Sequence, residues 1–272
     1  MKTRVITAAV LVPLLLLVLF AAPKIVMVIL FSLLCAFSAI ELLYNTGLVK
    51  HFRLVIYTVV TAALVPVWCY FGMNKAWALA MILLFLVLLF METMLSGMKL
   101  RFDRICICIT GGLLIPFLLS SLVRIIALDN GRYVILIPFV VAFLSDSGAY
   151  FIGCRFGKHK LAPLISPKKS VEGVFGGVSF AIVGMLLFAL LIQIVFKASV
   201  NYGYALVYAI LGSAMGVFGD LCFSVIKRQT GIKDYGNLFP GHGGVLDRFD
   251  SMLFVCPLIE FLLDVIPVVV LL

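Results

Sequence analysis

The sequence predicts an all-α polytopic membrane protein, and three observations support that fold class. The 272 residues are 64% apolar and only 12% charged, whereas a soluble protein is about half apolar and about a quarter charged. The apolar residues fall into runs of roughly 20 residues, the length that a membrane-spanning helix needs. Most Lys and Arg residues lie in the short connections between these runs. A soluble fold of this length could not bury so much apolar surface.

Reading along the chain gives nine predicted spans. The first follows Lys2 and Arg4 but lacks a small-residue cleavage site, so we interpret it as a retained helix and not as a signal peptide. Pro66 and Gly72 interrupt the third run. The predicted spans are residues 5–22, 25–44, 54–72, 76–95, 105–127, 133–152, 172–196, 203–226 and 251–271.

The Lys and Arg residues alternate between the connections. The N-terminus and every second connection carry 16 of the 21, and the other connections carry 5. Because cytoplasmic loops are enriched in Lys and Arg, this split predicts a cytoplasmic N-terminus and an external C-terminus. The formal net charge of +9 therefore fits topology and anionic lipid or phosphate partners, and we predict no nucleic acid partner.

Two predicted cytoplasmic loops, 153–170 and 227–250, are the longest and the richest in Gly, Pro and charge. Long polar connections in a compact bundle usually carry function. We therefore divide the chain into N-terminal transmembrane helices, residues 1–100, and a catalytic transmembrane region, residues 101–272. The seven cysteines show no CxxC spacing, so we interpret them as small apolar residues rather than zinc ligands or disulfides.

Acidic residues inside the apolar runs are candidate functional groups, because an acid in lipid costs several kcal/mol. Asp146 and Asp220 are the strongest candidates. Ser224 and Lys227 follow Asp220 by four and seven residues, so all three share one helical face. Pairing or an interfacial position explains the other intramembrane acids equally well; these are Glu41, Glu260 and Asp264.

The connection after this helix combines bases, glycines and acids. Glycines within 241–244 leave backbone N–H groups free to approach an oxyanion. Asp247 and Asp250, three residues apart, are expected on one face of the first turn of the last span. Carboxylates suit Mg²⁺ shared with substrate phosphates. A flexible turn, acids at a helix N-terminus and topology-setting bases would explain these features singly, but together they predict a metal and phosphate site.

This stretch resembles the signature of the phosphatidate cytidylyltransferase (CDP-diacylglycerol synthase) family. A second resemblance lies upstream, in SDSGAYFIGCRFGKHKL and SPKKSVEGVFGG, and the two blocks cover about a quarter of the chain. The signature positions that match are Ser224, Lys227, Arg228, Lys233, Asp234, Gly236, Pro240, His242, Gly243, Gly244, Asp247, Arg248 and Asp250.

The resemblance implies an Mg²⁺-dependent reaction of CTP with phosphatidic acid that gives CDP-diacylglycerol and pyrophosphate. It also implies a helical membrane fold and a homodimer in the lipid bilayer. We expect a bacterial-type inner (plasma) membrane, and the distribution of Lys and Arg predicts an active site that faces the cytoplasm. A second metal or a monovalent cation stays open.

The predicted site follows from the chemistry of two polyanions. The second pKa of a phosphate monoester is about 6, so the lipid phosphate needs cations around it more than a base. Asp220, Asp247 and Asp250 are predicted to bind Mg²⁺. The predicted phosphate-holding residues are Lys227, Arg228, Lys233 and Arg248, with His242 as a donor beside Gly243 and Gly244. The predicted nucleotide side comprises Asp146, Lys168, Lys169 and Ser170, with Ser224 on the substrate face and Glu172 as an added candidate.

Three other functions are consistent with parts of the sequence. An ion-coupled transporter also carries intramembrane acids, but its site lies near the midplane between related halves, and no repeat is visible. A CDP-alcohol phosphotransferase carries spaced Asp residues in a pattern absent here. A structural or receptor protein gives no reason for the grouped acids.

Overall fold

The computed structural model describes residue 13 and residues 17–19, 21–72, 74–97, 99–238, 241 and 243–270. Helices form most of this part of the chain. They are α1 Lys24–Ile40, α2 Phe52–Phe71, α3 Lys75–Leu95, α4 Phe102–Ile109, α5 Ile115–Leu119, α6 Ser121–Ala127, α7 Gly131–Val134, α8 Leu136–Phe156, α9 Val171–Phe196, α10 Tyr202–Gln229, α11 Leu246–Phe249 and α12 Met252–Val265. Two π-helical turns, Glu41–Asn45 and Thr110–Leu114, extend α1 and α4.

Short strands form two antiparallel pairs. Strand β1 (Lys160–Ala162) pairs with β2 (Ser166–Ser170), and β3 (Ser199–Val200) pairs with β4 (Val269–Val270). The predicted loops are consequently shorter than expected. Helix α8 continues to Phe156 and the rest of the 153–170 loop is largely the β1–β2 hairpin, whereas α10 continues to Gln229.

Seven helical segments in the described part of the chain are long and apolar enough to cross a membrane. This confirms the prediction of an all-α polytopic membrane protein. The segments are Lys24–Asn45, Phe52–Phe71, Lys75–Leu95, Phe102–Ala127, Gly131–Phe156, Val171–Phe196 and Tyr202–Gln229.

The count of nine spans and the orientation of the termini stay predictions. The span 5–22 lies mostly outside the described residues. Helix α12, in the last predicted span, has 14 residues and contains Pro257. At about 1.5 Å per residue it is roughly 21 Å long, shorter than the roughly 30 Å hydrocarbon core.

The chain forms two compact units. Unit 1 comprises Met1–Ala127 and Gln229–Phe249, and unit 2 comprises Leu128–Arg228 and Asp250–Leu272. The functional boundary predicted between residues 100 and 101 is a different division and stays a prediction.

In unit 1, α2 packs against α1, α3 and the segment α4–α6. Close contacts at the π-helical turn Thr110–Leu114 explain its glycines: a Cβ on Gly112 would lie 2.8 Å from Phe85 Cζ of α3. The other π-helical turn ends α1 and carries the buried Glu41. Such turns are frequent at functional sites.

In unit 2, α8 and α9 pack closely through small residues, as membrane helices often do. A Cβ on Gly176 would lie 2.4 Å from Ile152 Cβ, so no larger residue fits without a shift of the helices. Helix α10 approaches the start of the last helical segment in the same way, because a Cβ on Gly219 would lie 2.7 Å from the Asp250 carbonyl oxygen. This contact holds Asp250 beside α10.

Candidate active site

Asp220 on α10 is the centre of a polar cluster in unit 2. Its Oδ1 accepts a hydrogen bond from Ser224 Oγ at 3.1 Å, which places both side chains on one helical face, as their spacing predicted. Its Oδ2 lies 2.6 Å from Lys169 Nζ of strand β2. The Asp220 and Lys169 side chains are 27% and 23% exposed, so this ion pair is accessible to solvent.

Asp250 and Lys227 form a second, more deeply buried ion pair. Lys227 Nζ lies 3.8 Å from Asp250 Oδ2, and the two residues are only 8% and 9% exposed. Ser251 N donates to Asp250 Oδ1 at 2.9 Å.

The carboxyl of Asp250 is difficult to ionise. Burial, and after it the charge of Asp220, raise the pKa of Asp250 to about 7, although Lys227 opposes the shift. The exposed Asp146 of α8 adds a smaller repulsion. Unit 2 therefore holds two mutually repelling carboxylates balanced by two ammonium groups. A divalent cation with oxygen ligands would relieve this repulsion.

The described residues contain no group of three or more His, Cys, Asp or Glu side chains placed to hold a metal ion. The structure brings together Asp220 and Asp250 of the three predicted ligands. The third, Asp247, belongs to unit 1 and has the partners described below.

Residues of the hairpin contribute to the same unit. Arg228 Nε donates to the Ile165 carbonyl oxygen at 3.1 Å, which connects the end of α10 to the turn between β1 and β2. Lys168 is exposed on β2. Ser170 Oγ accepts from Gly173 N at 3.2 Å and caps α9, so this predicted nucleotide-binding residue also has a local structural role.

Glu172, in the first turn of α9, anchors the chain that leads into the hairpin. Its carboxylate accepts from Lys158 N at 3.1 Å and from His159 N at 3.2 Å, and it contacts His159 Nδ1 at 2.6 Å. Sequence reasoning did not single out His159. The contacts assign Glu172 to the conformation of the hairpin.

Asp247 in unit 1 organises a turn of backbone. Its Oδ2 accepts from Tyr235 N at 2.7 Å and from Gly244 N at 3.0 Å. Gly243 adopts φ +86°, and a Cβ there would lie 2.8 Å from Asp247 Oδ2. The Gly244 N–H, which was predicted to approach a phosphate, is thus bonded to Asp247.

The prediction that Asp247 and Asp250 share one face of the first turn of the last span is wrong. Asp247 lies in the one-turn helix α11, which ends at Phe249, and α12 begins only at Met252. Asp250 lies in the break between the two helices. The two carboxylates are therefore not presented by one continuous helical turn.

Glu41, for which the sequence favours neither a functional nor a pairing role, contacts the backbone beside Asp247. Its Oε1 accepts from Val245 N at 2.9 Å and its Oε2 accepts from Leu246 N at 2.8 Å, within unit 1. Glu41 is 4% exposed. A Cβ on Gly244 would lie only 2.2 Å from Oε1, which explains the glycine there. The sequence signal was an acid late in a span, but its partners are more than 200 residues away.

Three other residues were predicted to hold phosphate. Lys233 and Arg248 are exposed. His242 lies outside the described residues.

Comparisons with known proteins identify relatives. A model described as the cytidylyltransferase family matches residues 2–266. The phosphatidate cytidylyltransferase of Bacillus subtilis strain 168 is 42% identical over 184 residues, which is 67% of each chain. The proteins of the same name from Staphylococcus epidermidis RP62A and Staphylococcus saprophyticus are each 45% identical, over 135 and 139 residues. These two alignments cover half of this chain and half the length of the staphylococcal proteins.

The family match spans nearly the whole chain and includes both polar regions described above. It confirms the resemblance that the two signature blocks indicated. The chain belongs to the cytidylyltransferase family.

Proposed function

We propose that this protein is a membrane-bound nucleotidyltransferase that converts CTP and phosphatidic acid to CDP-diacylglycerol and pyrophosphate in phospholipid biosynthesis. The names of its relatives support the substrates. The observation that carries the proposal is the unit 2 cluster, in which Asp220 and Asp250 lie among Lys169, Lys227 and Ser224.

The chemistry requires neutralisation of charge. A lipid phosphate oxygen attacks the α-phosphorus of CTP, a new P–O bond forms, and the bond to the β-phosphate oxygen breaks to release pyrophosphate. With a second pKa of about 6, the attacking phosphate is largely ionised at neutral pH, so a strong base is unnecessary. Phosphoryl transfer depends mostly on positioning and electrostatic stabilisation. Lys169, Lys227 and Arg228 supply positive charge for both roles.

We further propose that Asp220 and Asp250 hold Mg²⁺, with the Ser224 hydroxyl beside Asp220. Carboxylate and hydroxyl oxygens are ligands that Mg²⁺ accepts, and the repulsion between the two carboxylates favours a cation at this position. When bound, the ion would supply charge stabilisation for the transferring phosphate. The metal role predicted for Asp247 stays a prediction, and its two backbone hydrogen bonds within unit 1 support a structural role.

The location and assembly are also proposed. The 16-to-5 distribution of Lys and Arg supports a cytoplasmic position for the two polar loops. The bacterial relatives support an inner membrane. Family resemblance supports a homodimer.

Substrate selection in the purified protein tests the proposal. Detergent-purified protein is incubated with phosphatidic acid, Mg²⁺ and each of the four nucleoside triphosphates, and pyrophosphate is measured. We expect release with CTP that requires phosphatidic acid and stops with a chelator. Release without nucleotide selectivity, or independent of lipid, would contradict the proposal. Formation of product from CDP-diacylglycerol and an alcohol would instead indicate a CDP-alcohol phosphotransferase.

A further inference from the structure

We propose that Glu41 is a positioning residue for the reaction, acting through the turn Gly243–Asp247, here called the signature turn. This inference rests on the proposed function, because the family resemblance assigns Gly243, Gly244 and Asp247 of this turn to the chemistry. Glu41 touches no reacting group in the proposal. It fixes the backbone that carries those residues.

The two oxygens of the Glu41 carboxylate are divided between neighbouring backbone groups. Oε1 accepts from Val245 N and Oε2 from Leu246 N, at 2.9 and 2.8 Å. Two donors that are adjacent in the chain, held by one rigid carboxylate, define the orientation of the backbone directly before Asp247.

A second contact connects the same π-helical turn to the same region. Asn45 Nδ2 donates to the Tyr235 carbonyl oxygen at 2.9 Å, and the Tyr235 N–H donates to Asp247 Oδ2. Glu41 and Asn45 thus lie at the two ends of the π-helical turn Glu41–Asn45, and each acts on a segment that contacts Asp247. Both side chains therefore contact the connection between α10 and α11.

The backbone of two glycines packs directly against the Glu41 carboxylate. A Cβ on Gly236 would lie 2.6 Å from Glu41 Oε1, and one on Gly244 would lie 2.2 Å from it. Both glycines therefore let the backbone close around the acid. A buried carboxylate requires compensating donors, and the signature turn provides them.

The N–H groups of Gly244, Val245 and Leu246 all donate to carboxylates, the first to Asp247 and the others to Glu41. A phosphate would compete for the same donors. Two roles for Glu41 therefore differ in their consequences: as a positioning residue its loss impairs turnover, whereas as an internal competitor of phosphate its loss improves substrate binding. The burial of Glu41 at 4% exposure favours positioning, because a displaced carboxylate would have no solvent to enter.

The test compares Glu41→Gln with Glu92→Gln. The carboxamide keeps the size of Glu41, but its NH₂ group faces a backbone N–H and cannot accept. Glu92 is a matched control: it is 7% exposed in the same unit, and its partners are Arg53 at 3.5 Å and His51 at 3.6 Å. Both variants replace one buried carboxyl group by a carboxamide, but only the first acts on the signature turn.

We expect Glu41→Gln to lower kcat by about 10- to 100-fold, the usual cost of losing a residue that orients a ligand, with KM for CTP changed far less. Glu92→Gln should keep kcat within about 3-fold, even where its Tm falls, because it lies outside the site. Asn45→Ala is the second variant and should lower kcat in the same direction by a smaller factor, so that the inference stays testable if Glu41→Gln does not fold.

Hydrogen exchange gives a readout that does not depend on activity. In Glu41→Gln, one of the two amides, Val245 or Leu246, faces the NH₂ group and loses its acceptor. That amide should exchange at least about 10-fold faster than in the unmodified protein. Glu92→Gln should leave both amides unchanged. Unchanged exchange and kcat in Glu41→Gln, equal losses of kcat in both Gln variants, or tighter CTP binding in Glu41→Gln would each overturn the inference. Inactivity of the unmodified protein would instead refute the proposed function.

Discussion

Two pairs of carboxylates, Asp220 with Asp250 and Glu41 with Asp247, have opposite kinds of partner. In unit 2, Asp220 and Asp250 face the ammonium groups of Lys169 and Lys227. In unit 1, Glu41 and Asp247 face backbone N–H groups instead. A lysine side chain can turn toward a substrate, whereas a backbone N–H is fixed by the chain. The difference indicates that the carboxylates of the unit 2 cluster can exchange their partners, whereas Glu41 and Asp247 hold the backbone of the signature turn in place.

The largest expected effect is on activity in unit 2. Asp220→Asn keeps the shape of the side chain but removes the negative charge that we propose for Mg²⁺. We expect kcat to fall by about 100- to 1,000-fold or more, as for loss of a group that stabilises transition-state charge. The measurement is CTP-dependent pyrophosphate release. Asp264→Asn is the control, since Asp264 is exposed on α12, and near-normal turnover by Asp220→Asn would refute the metal proposal.

The next effect is on stability and separates the two kinds of carboxylate. Asp247→Ala leaves the Tyr235 and Gly244 N–H groups without their acceptor, at about 1–3 kcal/mol each. Asp220→Ala removes the carboxylate that pairs with Lys169, but the Lys169 side chain is 23% exposed and can be hydrated instead. We therefore expect the Tm in detergent to fall by roughly 4–10 °C for Asp247→Ala and to change little for Asp220→Ala.

Equal Tm losses in these two alanine variants would remove the distinction between the two pairs of carboxylates. The matched comparison is informative because each variant deletes one aspartate of the predicted metal set. A metal role alone predicts no difference in Tm between them in the presence of a chelator.

Sequence reasoning predicted the parts of the molecule that depend on local signals. Within the described residues, apolar runs define the seven helical segments that are long and apolar enough to span a membrane to within a few residues, because length and composition are read directly from the chain. The shared face of Asp220 and Ser224 followed from helical spacing alone, and their hydrogen bond confirms it.

Sequence reasoning failed where the partner is distant or where a helix breaks. Asp220 and Lys169 come from different elements, so no periodicity predicts their contact. Glu41 was left undecided because its acceptor role requires a loop more than 200 residues away. The interruption between α11 and α12 has no proline or glycine at residue 250 to signal it in the sequence.

A smaller effect concerns pH and the buried pair of unit 2. The pKa of Asp250 is about 7 in the folded protein, raised chiefly by burial and then by Asp220, against about 3.9 in an unfolded chain. Between about pH 4 and pH 7 the folded state binds more protons than the unfolded state, so stability falls as the pH rises through this window. The carboxamide introduced by Asp250→Asn does not titrate, so this variant should not lose stability in this way as the pH rises.

The quantity to compare is the Tm of Asp250→Asn minus the Tm of the unmodified protein, measured in detergent with a chelator present. We expect this difference to be larger at pH 8 than at pH 5 by at least about 3 °C. The comparison between the two pH values cancels any constant effect of losing the partner of Lys227. A difference in Tm that is independent of pH would show that Asp250 is ionised throughout this range.

The smallest expected effect tests whether the charge of Lys169 is exchangeable. Lys169→Arg keeps the charge but replaces a compact ammonium with a planar guanidinium, whereas Lys169→Met removes the charge at similar length. If Lys169 turns from Asp220 to the nucleotide, Lys169→Met should raise KM for CTP by about 10-fold, the equivalent of roughly 1.4 kcal/mol, while Lys169→Arg should raise it less. Both should leave the Tm nearly unchanged, because a partly exposed ion pair contributes little to stability. A large loss of Tm with an unchanged KM in Lys169→Met would show that this pair is structural, like the carboxylate contacts of unit 1.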